Sequence, residues 1–358
     1  MGKAGAPVAI IGAGSWGTAL AALLARRGVR VRLWARRPEA AQSLRLRREN
    51  QQYLPGVTLP ESVEPLADIA AALAEAEMVV IAAPSRGMRD TVRALRPHLA
   101  PHHYIISAAK GLEHDTGLRM TQVIAQELPP PWGGAPPASG APPASGAPPA
   151  GANAACLSGP NLAVEVAAGI ATTTVIACRD AEVARRAQRI FMQPTLRVYT
   201  NPDVIGVELG GALKNIIAIG AGINDGLGFG DNTKAALVTR GLAEMTRLGV
   251  ALGAAATTFM GLSGIGDLVA TCASRRSRNH YVGYRLALGQ KLDDILAGMD
   301  MIAEGVPTTE AAMRLAQRAG VEMPIARAVH AVLFEGLKPR DAVRELMQRE
   351  ARDEREEM

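Results

Sequence analysis

Short apolar runs, each closed by glycine, proline or a polar turn, recur along the N-terminal half of the chain. Residues 8–11, 29–34, 77–82, 104–108, 155–158, 172–177 and 195–199 read as strands, several of them apolar on both sides. Strands of that kind belong to a parallel sheet covered on both faces. Helical spacing predicts helices over 18–27, 65–76 and 182–192, with a turn at Tyr53-Leu54-Pro55-Gly56. Near residue 205 the strand-like runs stop. Helices are expected over 203–223, 232–252, from 264 to 272, and over 292–296, 309–318, 325–334 and 340–349, with a glycine-rich loop at 226–230. The chain is therefore expected to divide into an α/β domain over 1–205 and an all-α domain over 206–350, followed by a charged tail at 351–358 that frays.

The first apolar run leads straight into Gly12, Gly14 and Gly17, with a helix directly behind them. This G-x-G-x-x-G spacing at a strand-to-helix junction is a dinucleotide grip. The first glycine allows the tight turn, the second lets the backbone approach a pyrophosphate, and the third lets helix pack on strand. The helix N-terminus then offers free N–H groups to the anion. Gly28 as a helix stop and the second strand complete the unit the motif requires. The fold class is therefore an α/β N-terminal Rossmann-like dinucleotide-binding domain followed by an all-α C-terminal domain. Where an NAD-specific site would place an acid on the adenosine ribose, the chain has Ala35-Arg36-Arg37-Pro38. Arg36 and Arg37 suit a 2'-phosphate, so NADP is expected to be accepted as well as NAD. The plain alternative is two arginines capping a strand end in solvent. Tyr53 either lines the cofactor groove or packs.

Composition narrows the partners. With 358 residues, 48% hydrophobic and 20% charged, the chain can bury cores for two domains. Its net charge of +5 comes from scattered arginines, with no basic run interleaved with aromatics. That argues against nucleic acid and suits a small anionic ligand, although solvated arginine accounts for most of it. Cys156, Cys178 and Cys272 are far apart and form no C-x-x-C pair, so neither a metal site nor a disulfide is expected. No uninterrupted apolar run reaches the ~18 residues needed to span a bilayer. No signal-peptide pattern is seen either, so the expectation is a cytoplasmic protein without membrane insertion. Residues 129–153 carry the repeat Gly-Ala-Pro-Pro-Ala-Ser and read as a mobile surface insertion. The alternative, a proline-rich binding ligand, lacks P-x-x-P flanked by basic residues.

Three stretches carry candidate chemistry. Lys110, between Ala109 and Gly111 after a predicted strand, either reaches into the cleft or is a solvated surface lysine. Lys214 stands inside an apolar, glycine-rich helix, where burial disfavours the ammonium and brings a lysine towards proton transfer near neutrality. Ser277, Arg278 and Asn279 form a polar patch between apolar helices, either a fork for a phosphate or a plain charged loop.

Taken together, these residues resemble the NAD(P)-dependent glycerol-3-phosphate dehydrogenases of bacterial type. The resemblance rests on Gly12 to Gly17, Ala109-Lys110-Gly111-Leu112-Glu113, Leu157-Ser158-Gly159-Pro160-Asn161 and Glu208 to Ala218. Gly264-Ile265-Gly266-Asp267-Leu268, Ser277-Arg278-Asn279 and Ala303-Glu304-Gly305 complete it. The family implies hydride transfer between nicotinamide and carbon 2 of dihydroxyacetone phosphate, giving sn-glycerol 3-phosphate for glycerophospholipid synthesis, in a homodimer. It implies Lys214 as proton acceptor in oxidation, and substrate contacts at Lys110, Gly159, Asn161, Lys214, Asp267, Ser277, Arg278 and Asn279. Cofactor contacts are implied at Gly12, Gly14, Ser15, Trp16, Gly17, Arg36, Arg37, Tyr53, Lys110, Ala163, Arg278, Ile302 and Glu304. Asn161 stands where many relatives have Ser or Thr. A hydroxyacid dehydrogenase acting on a carboxylate is the competing enzymatic reading, and a non-catalytic dinucleotide sensor the competing class.

Overall fold

The computed structural model describes residues 6–129, 132, 154–350 and 353. Most of the proline-rich segment 129–153 and of the tail 351–358 lies outside the described residues. The chain forms two compact units. One joins Met1–Ala109 to Met120–Val204, the other Lys110–Arg119 to Ile205–Met358.

The strands of the first unit are β1 (Val8–Ile11), β2 (Val31–Trp34), β3 (Glu49–Asn50), β4 (Leu54–Thr58), β5 (Val63–Leu66), β6 (Met78–Ile81), β7 (Tyr104–Ser107), β8 (Ala155–Ser158), β9 (Thr172–Ala177) and β10 (Leu196–Asn201). Eight of them form one sheet in the order β10-β9-β8-β7-β6-β1-β2-β5, parallel except where β8 meets β9, while β3 and β4 pair as a separate hairpin. Every residue of β1 and β6 is buried, as their unbroken apolar sequence demands. β1 lies between β2 and β6, so the order of connection reverses beside it. In open parallel sheets that reversal opens a crevice at the carboxyl ends of the strands.

Two local expectations change here. Pro65 lies in β5 and not in a helix, which starts only at Ile69. β5 is an edge strand paired to β2 alone, the place where a residue without an N–H is tolerated in a sheet. The supposed turn at Tyr53 to Gly56 runs into β4, which pairs with β3. Short helices Pro38–Arg47, Met88–Leu95 and Met120–Glu127 also form where no helix was expected.

In the second unit a 24-residue helix, Val204–Leu227, is long and apolar enough to cross a membrane, with mean hydropathy 1.5. Its residues are mostly buried by the other helices, as in the core helix of a globular domain. The helix continues through Gly226, where a loop was expected. Helices Gly230–Ala251, Asp267–Ala273, Arg278–Ala287, Gly305–Ala319 and Pro324–Phe334 contribute to the same apolar core. Arg278–Ala287 corrects the reading of its start as a loop: Ser277 is its N-cap, accepting from the His280 amide at 3.2 Å.

Glu244 ties two of these helices together. Buried on Gly230–Ala251, it accepts hydrogen bonds from the amides of Ile325 (2.6 Å) and Ala326 (3.2 Å) at the start of Pro324–Phe334. Burial pushes its carboxyl up to about 7, although both amides, Arg247 and Arg349 favour the anion. A carboxyl raised in the folded chain binds its proton more tightly there than when unfolded. Its contribution is therefore full below the ordinary carboxylate range and is lost as pH rises through about 7. In thermal melts of Glu244→Gln beside the unaltered chain, the Tm difference should move in favour of the variant between pH 5 and pH 8. A pH-independent difference would contradict this.

Candidate active site

In the first unit the site grows from the β1 turn. Gly12 has φ of +118°, and a Cβ there would lie 2.9 Å from the Ala82 carbonyl at the end of β6. A Cβ on Gly17 would fall 1.9 Å from the Gly12 carbonyl, so helix Ser15–Arg26 can sit this close to the strand only without a side chain. Gly14 by contrast faces open space. That helix has no side-chain N-cap and no acid in its first turn, which leaves its leading N–H groups and positive dipole end available to an anion. The Trp16 Nε1, buried, has no hydrogen-bond partner among the described residues. An open backbone approach, an uncapped helix start and an unsatisfied indole donor together fit a dinucleotide.

Arg36 and Arg37 are exposed just past β2, and Arg37 donates to the Gln52 side chain at 3.1 Å. Tyr53 is half-buried at the tip of the β3–β4 hairpin. Sequence reasoning missed Asn50, which is buried there. Its Nδ2 donates to the Ala13 carbonyl (2.9 Å) and to Thr18 Oγ1 (2.7 Å), and its Oδ1 accepts from the Tyr53 amide (3.2 Å). One amide thus holds the glycine turn and the hairpin together. Gly159, with φ of +140°, follows β8, and Ala163 opens helix Ala163–Ala167. The Asn161 amide is engaged at both ends, donating to Thr173 O (2.9 Å) and accepting from Thr174 Oγ1 (2.9 Å). Its side chain holds the turn against β9 and keeps a second N–H for donation.

In the second unit the centre is Asp267. Gly210, on helix Val204–Leu227, admits the backbone of Ser263: a Cβ there would meet its carbonyl at 2.6 Å. The π turn Leu262–Gly266 thereby brings Asp267, first residue of its helix, beside Lys214. Lys214 Nζ lies 2.6 Å from Asp267 Oδ1 and 2.5 Å from Thr271 Oγ1; Lys110 Nζ lies 2.8 Å from Asp267 Oδ2. Lys214 and Asp267 are buried and Lys110 nearly so. Burial lowers the Lys214 ammonium and Lys110 lowers it further, against the opposing pull of Asp267, leaving it at about 8. Two of its three protons are held by Asp267 and Thr271, and the third has no partner among the described residues.

A chain of amides continues from there. Asn215 Nδ2 approaches the Lys110 carbonyl (3.4 Å), Asn279 Nδ2 donates to Asn215 Oδ1 (2.9 Å), and Gly305 N donates to Asn279 Oδ1 (2.9 Å). Arg278 is exposed and donates to the Ile302 carbonyl at 2.7 Å, next to Glu304 at the start of helix Gly305–Ala319. Lys110, Lys214, Asp267 and Asn279 are thus one hydrogen-bonded group. Ser277 and Arg278 flank it at a helix start. Thr271 and Asn215 went unnoticed in the sequence, although i, i+4 spacing from Asp267 and adjacency to Lys214 pointed at both.

A dinucleotide cradle in one unit and a buried ammonium poised near neutrality in the other are the equipment of a dinucleotide-dependent oxidoreductase. The family model described as NAD-dependent glycerol-3-phosphate dehydrogenase N-terminus matches residues 7–136 and 147–184, and its C-terminus counterpart matches 203–344. The chain belongs to the NAD-dependent glycerol-3-phosphate dehydrogenase family, and its cofactor is NAD or NADP. It is 50% identical over 342 residues to the glycerol-3-phosphate dehydrogenase [NAD(P)+] of Moorella thermoacetica, covering 96% of each chain. To that of Nitratidesulfovibrio vulgaris strain DP4 it is 49% identical over 348 residues, 97% of this chain and 99% of the relative. The crystal structure of glycerol-3-phosphate dehydrogenase from Coxiella burnetii superposes with a TM-score of 0.87 at 36% identity, covering 96% of this chain and 99% of that one.

Replacing Arg36 and Arg37 together by alanine should raise the KM for NADPH about tenfold or more, as expected for loss of a charge-assisted contact, and leave that for NADH within about twofold. Equal changes for both cofactors in steady-state assays would remove the 2'-phosphate reading.

Proposed function

We propose that the enzyme interconverts dihydroxyacetone phosphate and sn-glycerol 3-phosphate, with Lys214 moving the proton. The observation that carries this is the buried Lys214 ammonium, two protons held and one uncommitted, near the pH at which both its forms are populated. When bound, the nicotinamide supplies the hydride to carbon 2 in reduction and takes it back in oxidation. In reduction Lys214 gives its uncommitted proton to the carbonyl oxygen and is reprotonated from solvent; in oxidation the neutral amine takes the hydroxyl proton. Lys110 and the Lys214 ammonium polarise that oxygen and stabilise the charge developing on it. Asp267 orients both lysines, and Thr271 fixes the second Lys214 proton.

Substrate phosphate is assigned to Arg278 with Ser277 and Asn279. The Arg278 guanidinium, which also donates to the Ile302 carbonyl, is the planar donor suited to it, while the buried Asn279 amide sets the local backbone. Gly159 and Asn161 complete the substrate contacts. The dinucleotide lies along Gly12, Gly14, Ser15, Trp16 and Gly17, with further contacts at Arg36, Arg37, Tyr53, Lys110, Ala163, Arg278, Ile302 and Glu304. The product supplies glycerophospholipid synthesis, and the enzyme works in the cytoplasm as a homodimer.

NADPH or NADH oxidation with dihydroxyacetone phosphate, against a panel of 3-keto acids, tests the reaction; turnover only with the keto acids would replace it by a carboxylate dehydrogenase. Lys214→Ala should lower kcat by about 10²–10⁴ while the Kd for NADPH stays within about twofold. Near-normal turnover would sink the assignment. Reduction needs the ammonium, so its rate should fall as pH rises through about 8, and oxidation should gain over the same range. Asp267→Asn removes the group that holds the proton on Lys214, so the falling limb of reduction should move to lower pH. A limb that stays in place would show that another group sets it.

A further inference from the structure

The segment Lys110–Arg119 follows β7 of the first unit in sequence and yet belongs to the helical unit. It folds back as a strap. Leu112 and Arg119 face each other in an antiparallel bridge, Glu113 N donates to Leu118 O (2.9 Å) and Gly117 N to Glu113 O (2.8 Å). Leu112 is buried in the core of the helical unit. The tip is fastened to helix Gly305–Ala319, where Arg314 donates to the His114 carbonyl, His114 Nε2 meets Glu310 at 2.7 Å, and Arg318 reaches the Thr116 carbonyl at 3.3 Å. On the returning limb Arg119 donates to Glu208 Oε2 at 2.6 Å, with both side chains largely buried (13% and 5% exposed).

A lysine side chain is a flexible stem, so an ammonium stays where catalysis needs it only if its backbone is fixed as well. Asp267 fixes the Lys110 ammonium, and Asn215 approaches its backbone carbonyl at a long 3.4 Å. A further restraint arrives two residues on, at Leu112, through its bridge to Arg119 and from there through the ion pair to Glu208. Glu208 stands on the same helix as Lys214. One helix thus carries one lysine of the Asp267 pair directly and registers the other through the strap.

We infer that Arg119 and Glu208 are positioning residues for Lys110: their buried ion pair sets the strap so that Lys110 and Lys214 meet opposite oxygens of Asp267. This rests on the role given to Lys110 in the reaction above.

The test is a double-mutant cycle on the full-length enzyme, with Arg119→Met and Glu208→Gln each made alone and with Lys110→Met. The readouts are kcat/KM for dihydroxyacetone phosphate, KM for NADPH, and Tm. In the Lys110 background each substitution should cost about 10- to 100-fold in kcat/KM, the scale of a small misplacement of a reacting group. With Lys110→Met already present, the same substitutions should cost less than about twofold, because the group they position is gone. With Lys110→Met already present, the same substitutions should also leave KM for NADPH within about twofold of that variant's own value. Equal losses in both backgrounds, a rise in KM for NADPH on top of Lys110→Met, or no loss with Lys110 present would each overturn the proposal. If Arg119→Met does not fold, Glu208→Gln, which keeps the shape and an acceptor oxygen, decides alone. Should Lys110→Met itself turn over normally, the role of Lys110 fails, and that result is read from a variant in which the strap is intact.

Discussion

Asp267 receives two lysines, one on each carboxylate oxygen, in surroundings that exclude most water. Withdrawing such charges from solvent costs several kcal/mol per ion, and mutual attraction repays it only with good geometry and further hydrogen bonds. The helical unit is arranged to provide that geometry. Gly210 admits the π turn ahead of Asp267, Thr271 takes a second proton of Lys214, and Asn215 with Asn279 stitches the Lys110 backbone to Gly305. The result is a lysine whose ammonium is neither fully stabilised nor expelled. Burial alone would drive Lys214 to neutrality, while Asp267 alone would keep it charged. The two pulls and the repulsion of Lys110 leave it where a proton can be given or taken.

The first unit solves a different problem by similar means. A pyrophosphate needs backbone N–H groups brought close without side chains in the way. Gly17 can lie against the Gly12 carbonyl only because it has no Cβ, and Gly12 turns beneath Ala82 with a backbone few other residues adopt. Asn50 then locks the turn from the side through Ala13 and Thr18. In both units the reactive or binding group is set by close backbone approach, with amide side chains as the fasteners.

Much of this was legible in the order of residues. Apolar runs separated by helical stretches announced the parallel sheet, and the loss of such runs near residue 205 announced the helical unit. These patterns are local and repeat with the period of the element. The glycine turn was legible because a steric requirement leaves its mark on residue type. Misreadings fell where neighbours outvote local propensity. Pro65 joins a strand because its partner lies on one side only, and 278–287 forms a helix because Ser277 caps it. Nothing in the local sequence showed that Thr173 and Thr174 of β9 would engage both ends of the Asn161 amide.

By itself the sequence determined the two fold classes, the glycine turn, the two arginines standing where an NAD-specific site carries an acid, and the lysine set in an apolar helix. Each depends on residue type and short-range spacing. Only the tertiary structure decided that Lys110 belongs with the helices, that it shares Asp267 with Lys214, and that Thr271, Asn215, Arg119 and Glu208 stand behind them. Those relations join residues far apart in the chain. They exist only once burial has made an unpaired charge too costly to leave and packing has chosen which partner lies within reach.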